Sequence, residues 1–200
     1  MTTSPGLLLI ISGPSGVGKT TITHHVENAL DGVFSVSMTT RPITDDDTNG
    51  VDYFFVDKTE FERTRDAGEL LEWADVFGNY YGTPRKPVEE NLNTGRLVIL
   101  EIDVEGAVQI KQNMPEAFAI FVNPPTEDEL LRRLRARDRE EEDVIQRRFA
   151  KAKHEMARAS ECGAYDHFII NDDLNTAVAE AINLVKTELA NRNSVNEAAK

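Results

Sequence analysis

Residues Gly13-Pro14-Ser15-Gly16-Val17-Gly18-Lys19-Thr20 leave this chain little choice of fold. They match G-x-x-x-x-G-K-[ST] at every specified position. The run Leu7-Leu8-Leu9-Ile10-Ile11 before them is short, apolar and strand-like. After them Ile22, Val26 and Ala29/Leu30 fall on one helical face. Strand, glycine loop and helix in that order form a phosphate cradle. The glycines let backbone N–H groups turn inward, and the helix start adds partial positive charge. Lys19 is expected to reach the outer phosphates, and the Thr20 hydroxyl to ligate Mg²⁺. A nucleoside triphosphate site is the starting point, and the question becomes what receives the phosphate.

The sequence has 200 residues, enough for one core with insertions, and its 40% hydrophobic and 28% charged content is ordinary for a soluble globular protein. No apolar run reaches membrane-spanning length, and the N-terminus has neither the basic flank nor the apolar length of a signal peptide. Cys162 is the single cysteine, so an internal disulfide is excluded. A cytoplasmic enzyme is expected. The net charge of −13 argues against a nucleic-acid-coating protein. It also requires that cations be concentrated locally, and the segment holding Arg132, Arg133, Arg135, Arg137, Arg139, Arg147 and Arg148 supplies them.

Strand and helix signals alternate. Phe34–Met38 reads as a second strand, Tyr53–Val56 as a third, and Thr59 starts a short helix that buries Phe61. Leu70–Trp73 with Val76-Phe77, and Tyr80-Tyr81, flank Gly78-Asn79 like a hairpin. Leu97–Ile102 and Ala117–Val122 are continuous apolar runs, as parallel strands covered on both faces are. Thr126-Glu127-Asp128-Glu129 reads as a capping box. Ile145, Phe149, Ala152 and Met156 mark one helix, His167–Ile170 the last strand, and Leu174 to Leu189 a terminal amphipathic helix. The predicted fold is α/β in three layers, a parallel sheet with helices on both faces. The stretch from Ser37 to Pro84 breaks the rhythm and reads as a small, partly antiparallel insertion for a second substrate. The predicted division is a core of 1–36 and 85–200, an insertion of 37–84, and a flexible tail over 191–200.

Ser37-Met38-Thr39-Thr40-Arg41, Asn49-Gly50-Val51-Asp52-Tyr53-Phe54, Glu72-Trp73 and Gly78-Asn79-Tyr80-Tyr81-Gly82-Thr83 resemble the guanylate kinase family. Ile102-Asp103-x-x-Gly106, Val144-Ile145-x-x-Arg148 and Asn171-Asp172-Asp173 match it too, and the motifs run in family order from Leu7 to about Leu189. The resemblance implies a P-loop NTPase fold with a mixed α/β GMP-binding insertion and a helical lid over 137–148. It implies transfer of the ATP γ-phosphate, with Mg²⁺, to GMP or dGMP. It assigns catalysis to Lys19, Arg41, Arg137 and Arg148, and nucleotide binding to Gly13 through Thr20 with Asn171. For GMP it implies Ser37, Thr83, Glu72 and Asp103 at the base, and Arg41, Tyr53 and Tyr81 at the phosphate. Chemistry agrees: guanine presents N1–H and N2–H₂ donors, which a carboxylate accepts in a bidentate contact, whereas adenine presents an acceptor at N1. Each of these residues alone is compatible with a structural role; their joint order points to function. ATP and GMP or dGMP are the expected partners, with no nucleic acid or membrane, in a monomer or homodimer.

The chain departs from the family pattern T-T-R-x-P-R-x-G-E. Thr44 stands at the second arginine and Asp46-Asp47 at the Gly-Glu pair. A lost charge-assisted contact costs about 1.5–3 kcal/mol, so weaker GMP binding is expected. Glu101 stands at a usual Asp, Glu105 at a usual Gln, and Asp138 at a usual glycine. Which of Glu101 and Asp103 orients Mg²⁺-bound water stays open. Two other readings compete. Asp103-Val104-Glu105-Gly106 fits the D-x-x-G switch of a regulatory GTPase, but no N-K-x-D motif accompanies it. A non-catalytic scaffold would lack a complete phosphate loop, and this chain keeps one. His24, His25, His154 and His167 have no spacing that suggests a zinc site.

Overall fold

The computed structural model describes residues 6–76, 78–136 and 141–198. In chain order its elements are β1 (Leu7–Ser12), α1 (Lys19–Leu30), β2 (Val33–Phe34), β3 (Met38–Thr39), β4 (Phe54–Phe55), α2 (Lys58–Asp66), β5 (Leu70–Val76) and β6 (Asn79–Pro84). There follow α3 (Arg85–Asn93), β7 (Leu97–Glu101), α4 (Val104–Asn113), β8 (Phe118–Asn123), α5 (Glu127–Arg135), α6 (Glu142–Glu161), β9 (His167–Ile170) and α7 (Leu174–Ala198).

The apolar runs become one parallel sheet in the order β2-β7-β1-β8-β9. Successive side chains point to opposite faces, and both faces are covered. Leu7, Leu9 and Ile11 pack with Ile22 and Val26 of α1 and with Ala181 and Val185 of α7. Leu8 and Ile10 pack on the other side with Val88 of α3 and Ile110 of α4. A fully apolar strand is therefore the signature of a middle layer.

The second sheet, ordered β4-β3-β6-β5, is mixed: β3 runs parallel to β4 and antiparallel to β6, and β5–β6 is a hairpin turned at Gly78, whose φ is +85°. Phe77 in that turn lies outside the described residues. The single strand expected over Phe34–Met38 is corrected to two. The Ser35 N–H still bonds to the Ile99 carbonyl of the core sheet, whereas the Ser37 carbonyl already accepts from Phe54 in the second sheet. The apolar pattern runs on while the hydrogen-bonding partner changes, so periodicity could not locate the break. Ser37 thereby sits where the two sheets meet.

Two further expectations are amended. Thr126 caps α5 by accepting from the Glu129 N–H at 3.1 Å, but the reciprocal half of the box is missing. The Glu129 carboxylate is instead bonded to Arg132 and Arg133, which hold its pKa well below the usual carboxylate range. The helix α7 does not end near Asn191, where polarity predicts a tail; it continues to Ala198, with Arg192 paired to Glu188 at 2.7 Å and donating to the Glu116 carbonyl. Among the described residues no helix is long and apolar enough to cross a membrane.

Ile10 has no exposed surface in the central strand, so Ile10→Ala is expected to cost ~2–5 kcal/mol. Ile43→Ala, at a side chain 53% exposed, should stay within about 0.5 kcal/mol. Urea unfolding midpoints check both.

Candidate active site

The phosphate loop lies at the carboxyl end of β1, between the ends of β7 and β8, where ligands of open parallel sheets bind. Gly18 precedes α1 with φ +96°, and a Cβ there would stand 2.7 Å from the Asn171 amide nitrogen. Glycine is thus required by conformation and by space. The same Asn171 amide, 4% exposed, donates to the Val17 carbonyl at 2.7 Å. Asn171, expected at the nucleotide, is bonded to the backbone of the loop that is to hold it. Arg133 fixes it in turn by donating to its backbone carbonyl at 2.9 Å. The Lys19 ammonium donates to the Gly13 and Pro14 carbonyls at 2.7 and 3.1 Å, folded over its own loop. The Thr20 hydroxyl donates to Glu101 Oε1 at 2.9 Å across a hollow of about 180 Å³. A hydroxyl and a carboxylate are hard oxygen donors that suit Mg²⁺, which typically takes few protein ligands and completes its shell with phosphate and water. No group of three His, Cys, Asp or Glu side chains able to hold a metal occurs among the described residues.

The hairpin delivers Glu72. The β5–β6 register is irregular between Leu70 and Trp73, and Leu70, Leu71 and Glu72 are all buried in succession. A bulge re-aims side chains in this way, and it turns the carboxylate inward. Glu72 is 6% exposed, and the Thr83 hydroxyl on β6 donates to its Oε1 at 2.6 Å. Its other oxygen faces α4, where a Cβ on Gly106 would lie 2.8 Å away. Gly106 therefore permits the close approach of helix and carboxylate. Asp103 caps α4 by accepting from the Gly106 N–H at 2.9 Å. The tetrapeptide Asp103-x-x-Gly106 is thus a helix start packed against Glu72. Burial pushes the Glu72 pKa up to about 7; the Thr83 hydrogen bond opposes this, and the Asp103 charge adds to it. Two amides of α4 hold the strand in place. Gln109 exchanges hydrogen bonds with both the N–H and the carbonyl of Trp73, at 3.2 and 2.9 Å, and Asn113 donates to the Leu71 carbonyl.

Arg41 makes a bidentate pair with Asp47, at 2.9 and 2.8 Å, and lies over the Tyr53 and Phe55 rings. Asp47 also accepts from the Thr44 backbone and hydroxyl at 2.8 and 2.6 Å. Thr44, which stands at the family's second arginine, is thus tied into a loop centred on Asp47. Tyr53 meets Tyr81 edge-on with ring centroids 5.7 Å apart, and burial raises the Tyr53 pKa.

One cleft of about 290 Å³ collects eight of the expected residues. Gly13, Ser15 and Lys19 line one end, Ser37, Tyr53, Glu72 and Tyr81 the other, and Glu101 and Asp103 lie between. Thr83 has no exposed surface and acts behind Glu72. Arg148 reaches the loop by donating to the Ser15 hydroxyl. Arg137 and Asp138 lie outside the described residues. A larger hollow of about 750 Å³ lies at the amino end of the sheet, lined by Leu8, Leu92, Met114 and Ala117 with three glutamates. It contains neither the loop nor the paired acids. Sequence reasoning missed Gln109, and it missed Lys151 and Glu155, which line the cleft from α6. The last two stand three and seven residues after Arg148, a spacing that places them on its face of the helix.

A strand, a glycine loop and a helix whose first turn carries Lys19 and Thr20, set in a three-layer parallel α/β fold, define a P-loop nucleotide-binding protein of the kinase type. The model of the family described as guanylate kinase matches residues 6–188. Guanylate kinase of Carboxydothermus hydrogenoformans is 44% identical over 192 residues, 96% of this chain and 93% of that protein. Guanylate kinase of Thermosynechococcus vestitus is 47% identical over 182 residues, covering 88% and 92%. The crystal structure of guanylate kinase from Anaplasma phagocytophilum superposes with a TM-score of 0.75 at 37% identity, covering 94% of this chain and 89% of that one. The chain belongs to the guanylate kinase family.

The buried carboxylate has a measurable signature. Folded Glu72 keeps its proton between the usual carboxylate range and about pH 7, where the unfolded chain has released it. The folded state then binds more protons, and its stability contribution declines as pH rises through that window. Glu72→Gln is expected to remove this part of the decline. Urea midpoints of both proteins from about pH 5 to about pH 8 test it, and parallel profiles would exclude Glu72 as the source.

Proposed function

We propose that this protein is an ATP:GMP phosphotransferase that converts GMP, or dGMP, and ATP into GDP, or dGDP, and ADP in the cytoplasm. The observation that carries the reading is the arrangement of Glu72 and Asp103 beside the phosphate loop in one cleft. Two acids facing one pocket call for a ligand edge rich in donors, and guanine N1–H and N2–H₂ supply one. Adenine turns a lone pair toward the same oxygens and is repelled. The ionised form of Glu72 binds the base, so the pKa near 7 makes acceptor affinity fall as pH is lowered through neutrality.

The phosphoryl group passes between two bound nucleotides, so the residues act by positioning and charge neutralisation. Backbone N–H groups of Gly13 to Thr20 hold the donor phosphates, and Lys19 leaves the Gly13 and Pro14 carbonyls for them. Thr20 and Glu101, bonded to each other at 2.9 Å, would hold Mg²⁺, which would neutralise charge on the donor phosphates. Tyr53 and Tyr81 hydroxyls and Arg41 orient the acceptor phosphate. Asp47 holds the Arg41 fork in the meantime, and the incoming phosphate competes for the same fork. Arg148 bridges α6 to the loop, and closure of the helical segment carrying it excludes water from the transfer.

A coupled assay of ADP formation with ATP and each of GMP, AMP, CMP and UMP tests the proposal: turnover with GMP alone is expected, and equal turnover with AMP would sink it. Glu72→Gln is expected to raise the KM for GMP at least tenfold by losing a charge-assisted contact. Thr44→Arg provides a second check. It restores a cation to the monophosphate loop, and the KM for GMP is expected to fall by about ten- to a hundredfold with the KM for ATP unchanged. An unchanged or higher KM for GMP would refute the account of Thr44.

A further inference from the structure

Helix α6 borders the cleft and lines it with Lys151 and Glu155. Arg148 touches the phosphate loop at the Ser15 hydroxyl. Two turns further on, Glu155 stands in the cleft within the electrostatic reach of Lys19 and Asp103, and beyond it Ala159 packs with Val104 at the start of α4. Positions i, i+3 and i+7 share one face, and their Cα atoms are separated along the axis by ~4.5 and ~10.5 Å. Arg148 thus touches the phosphate loop, and Glu155 lies within reach of both Lys19 and Asp103. Lys151 lies between them along the helix and lines the cleft. Its ammonium is 3.6 Å from Glu155 Oε1, and its side chain is 40% exposed and lines the cleft.

The charge balance of the cleft gives this lysine a task. Four carboxylates line it: Glu72, Glu101, Asp103 and Glu155. Its lining cations among the described residues are Lys19 and Lys151. Lys19 belongs to the triphosphate loop, Arg41 is paired with Asp47, and Thr44 brings no charge where the family pattern has an arginine. A monophosphate entering this space needs a cation on the side facing α6.

We propose that Lys151 is a substrate-contacting residue that binds the 5′-phosphate of the acceptor nucleotide, with Glu155 as the positioning residue that aims it. Lys151 supplies from α6 the charge that Thr44 does not supply from the monophosphate loop. The inference rests on the acceptor being a guanine nucleotide, as proposed above. It adds that acceptor binding draws on the same helix that touches the donor loop through Arg148, so both substrates act on one rigid element.

The test compares the wild-type protein with Lys151→Gln and Lys151→Arg, measuring GMP and guanosine affinities by calorimetry and the KM values for GMP and ATP. Lys151→Gln is expected to weaken GMP about tenfold and raise its KM likewise, the loss of one charge-assisted contact at a partly exposed site. Guanosine affinity and the KM for ATP should stay unchanged, and Lys151→Arg should restore most of the loss. Intact guanosine binding also shows that the variant is folded. Glu155→Gln should shift GMP in the same direction by a smaller factor. The proposal is overturned if Lys151→Gln leaves GMP unaffected, if guanosine weakens in parallel, or if the KM for ATP is what rises. Selective loss of the lysine effect in an enzyme that still phosphorylates GMP removes this inference alone. A wild-type protein that turns over no GMP removes the functional reading and this inference with it.

Discussion

Strand β1 is hydrogen-bonded along both edges, to β7 and to β8, and the active-site groups hang from that three-strand ladder. The phosphate loop leaves the end of β1, Glu101 closes β7, and Asp103 starts the helix after it. Parallel strands end together, so the ladder brings loop and acids to one edge, where the Thr20 hydroxyl donates to Glu101 at 2.9 Å. The ladder is also deeply buried: Leu9, Ile10 and Ile11 of β1, Ile99 of β7 and Ile120 of β8 have no exposed surface. The apolar core thus fixes the relative positions of groups that must be set to within a fraction of an ångström.

The acceptor side is built differently. Glu72 comes from a small second sheet and is locked by a hydroxyl on the next strand, a glycine on a core helix and two amides of that helix. Desolvating a carboxylate is costly, and a like charge at Asp103 adds to the cost. A protein selected for stability alone would place an apolar residue here. The strain is intelligible as pre-organisation: the pocket stores an unmet demand for hydrogen-bond donors, and the base edge that meets it gains more than it would in water.

Much of this was legible in the sequence. The phosphate loop is read from its glycines, because backbone conformation and Asn171 leave room for nothing else at Gly18. The core strands are read from unbroken apolar runs. The motifs singled out Glu72, Asp103, Tyr53 and Tyr81, which line one cleft. Other features were hidden. The split between β2 and β3 depends on which neighbour takes the Ser35 and Ser37 backbone groups, and side-chain pattern carries no record of that. The inward turn of Glu72 needs a bulge, which adds a third buried residue to an alternating strand. Gln109 is a polar residue on a helix like any other until its partner strand is known. Lys151 and Glu155 could have been found by continuing the Arg148 face along α6, but a charged stripe on a helix ordinarily reads as solvated surface.

The pairing of cations explains how so acidic a chain handles phosphates. Arg41 is held by Asp47, Lys151 by Glu155, and Arg148 reaches the Ser15 hydroxyl. Such partners keep long side chains oriented before substrate arrives, which lowers the entropy lost on binding. They are also easily exchanged. A partly exposed ion pair contributes about 0–1 kcal/mol, whereas a charge-assisted bond to a phosphate in a closed cleft contributes about 1.5–3 kcal/mol. The difference favours transfer of the cation from its carboxylate to the substrate, and the released carboxylate regains water. With a net charge of −13, the protein gives free anions little general attraction, so only a ligand that fits the cleft can make this exchange. On the proposed reading, selectivity for nucleotides over other phosphates therefore begins with the charge of the whole chain and is completed by Glu72 and Asp103.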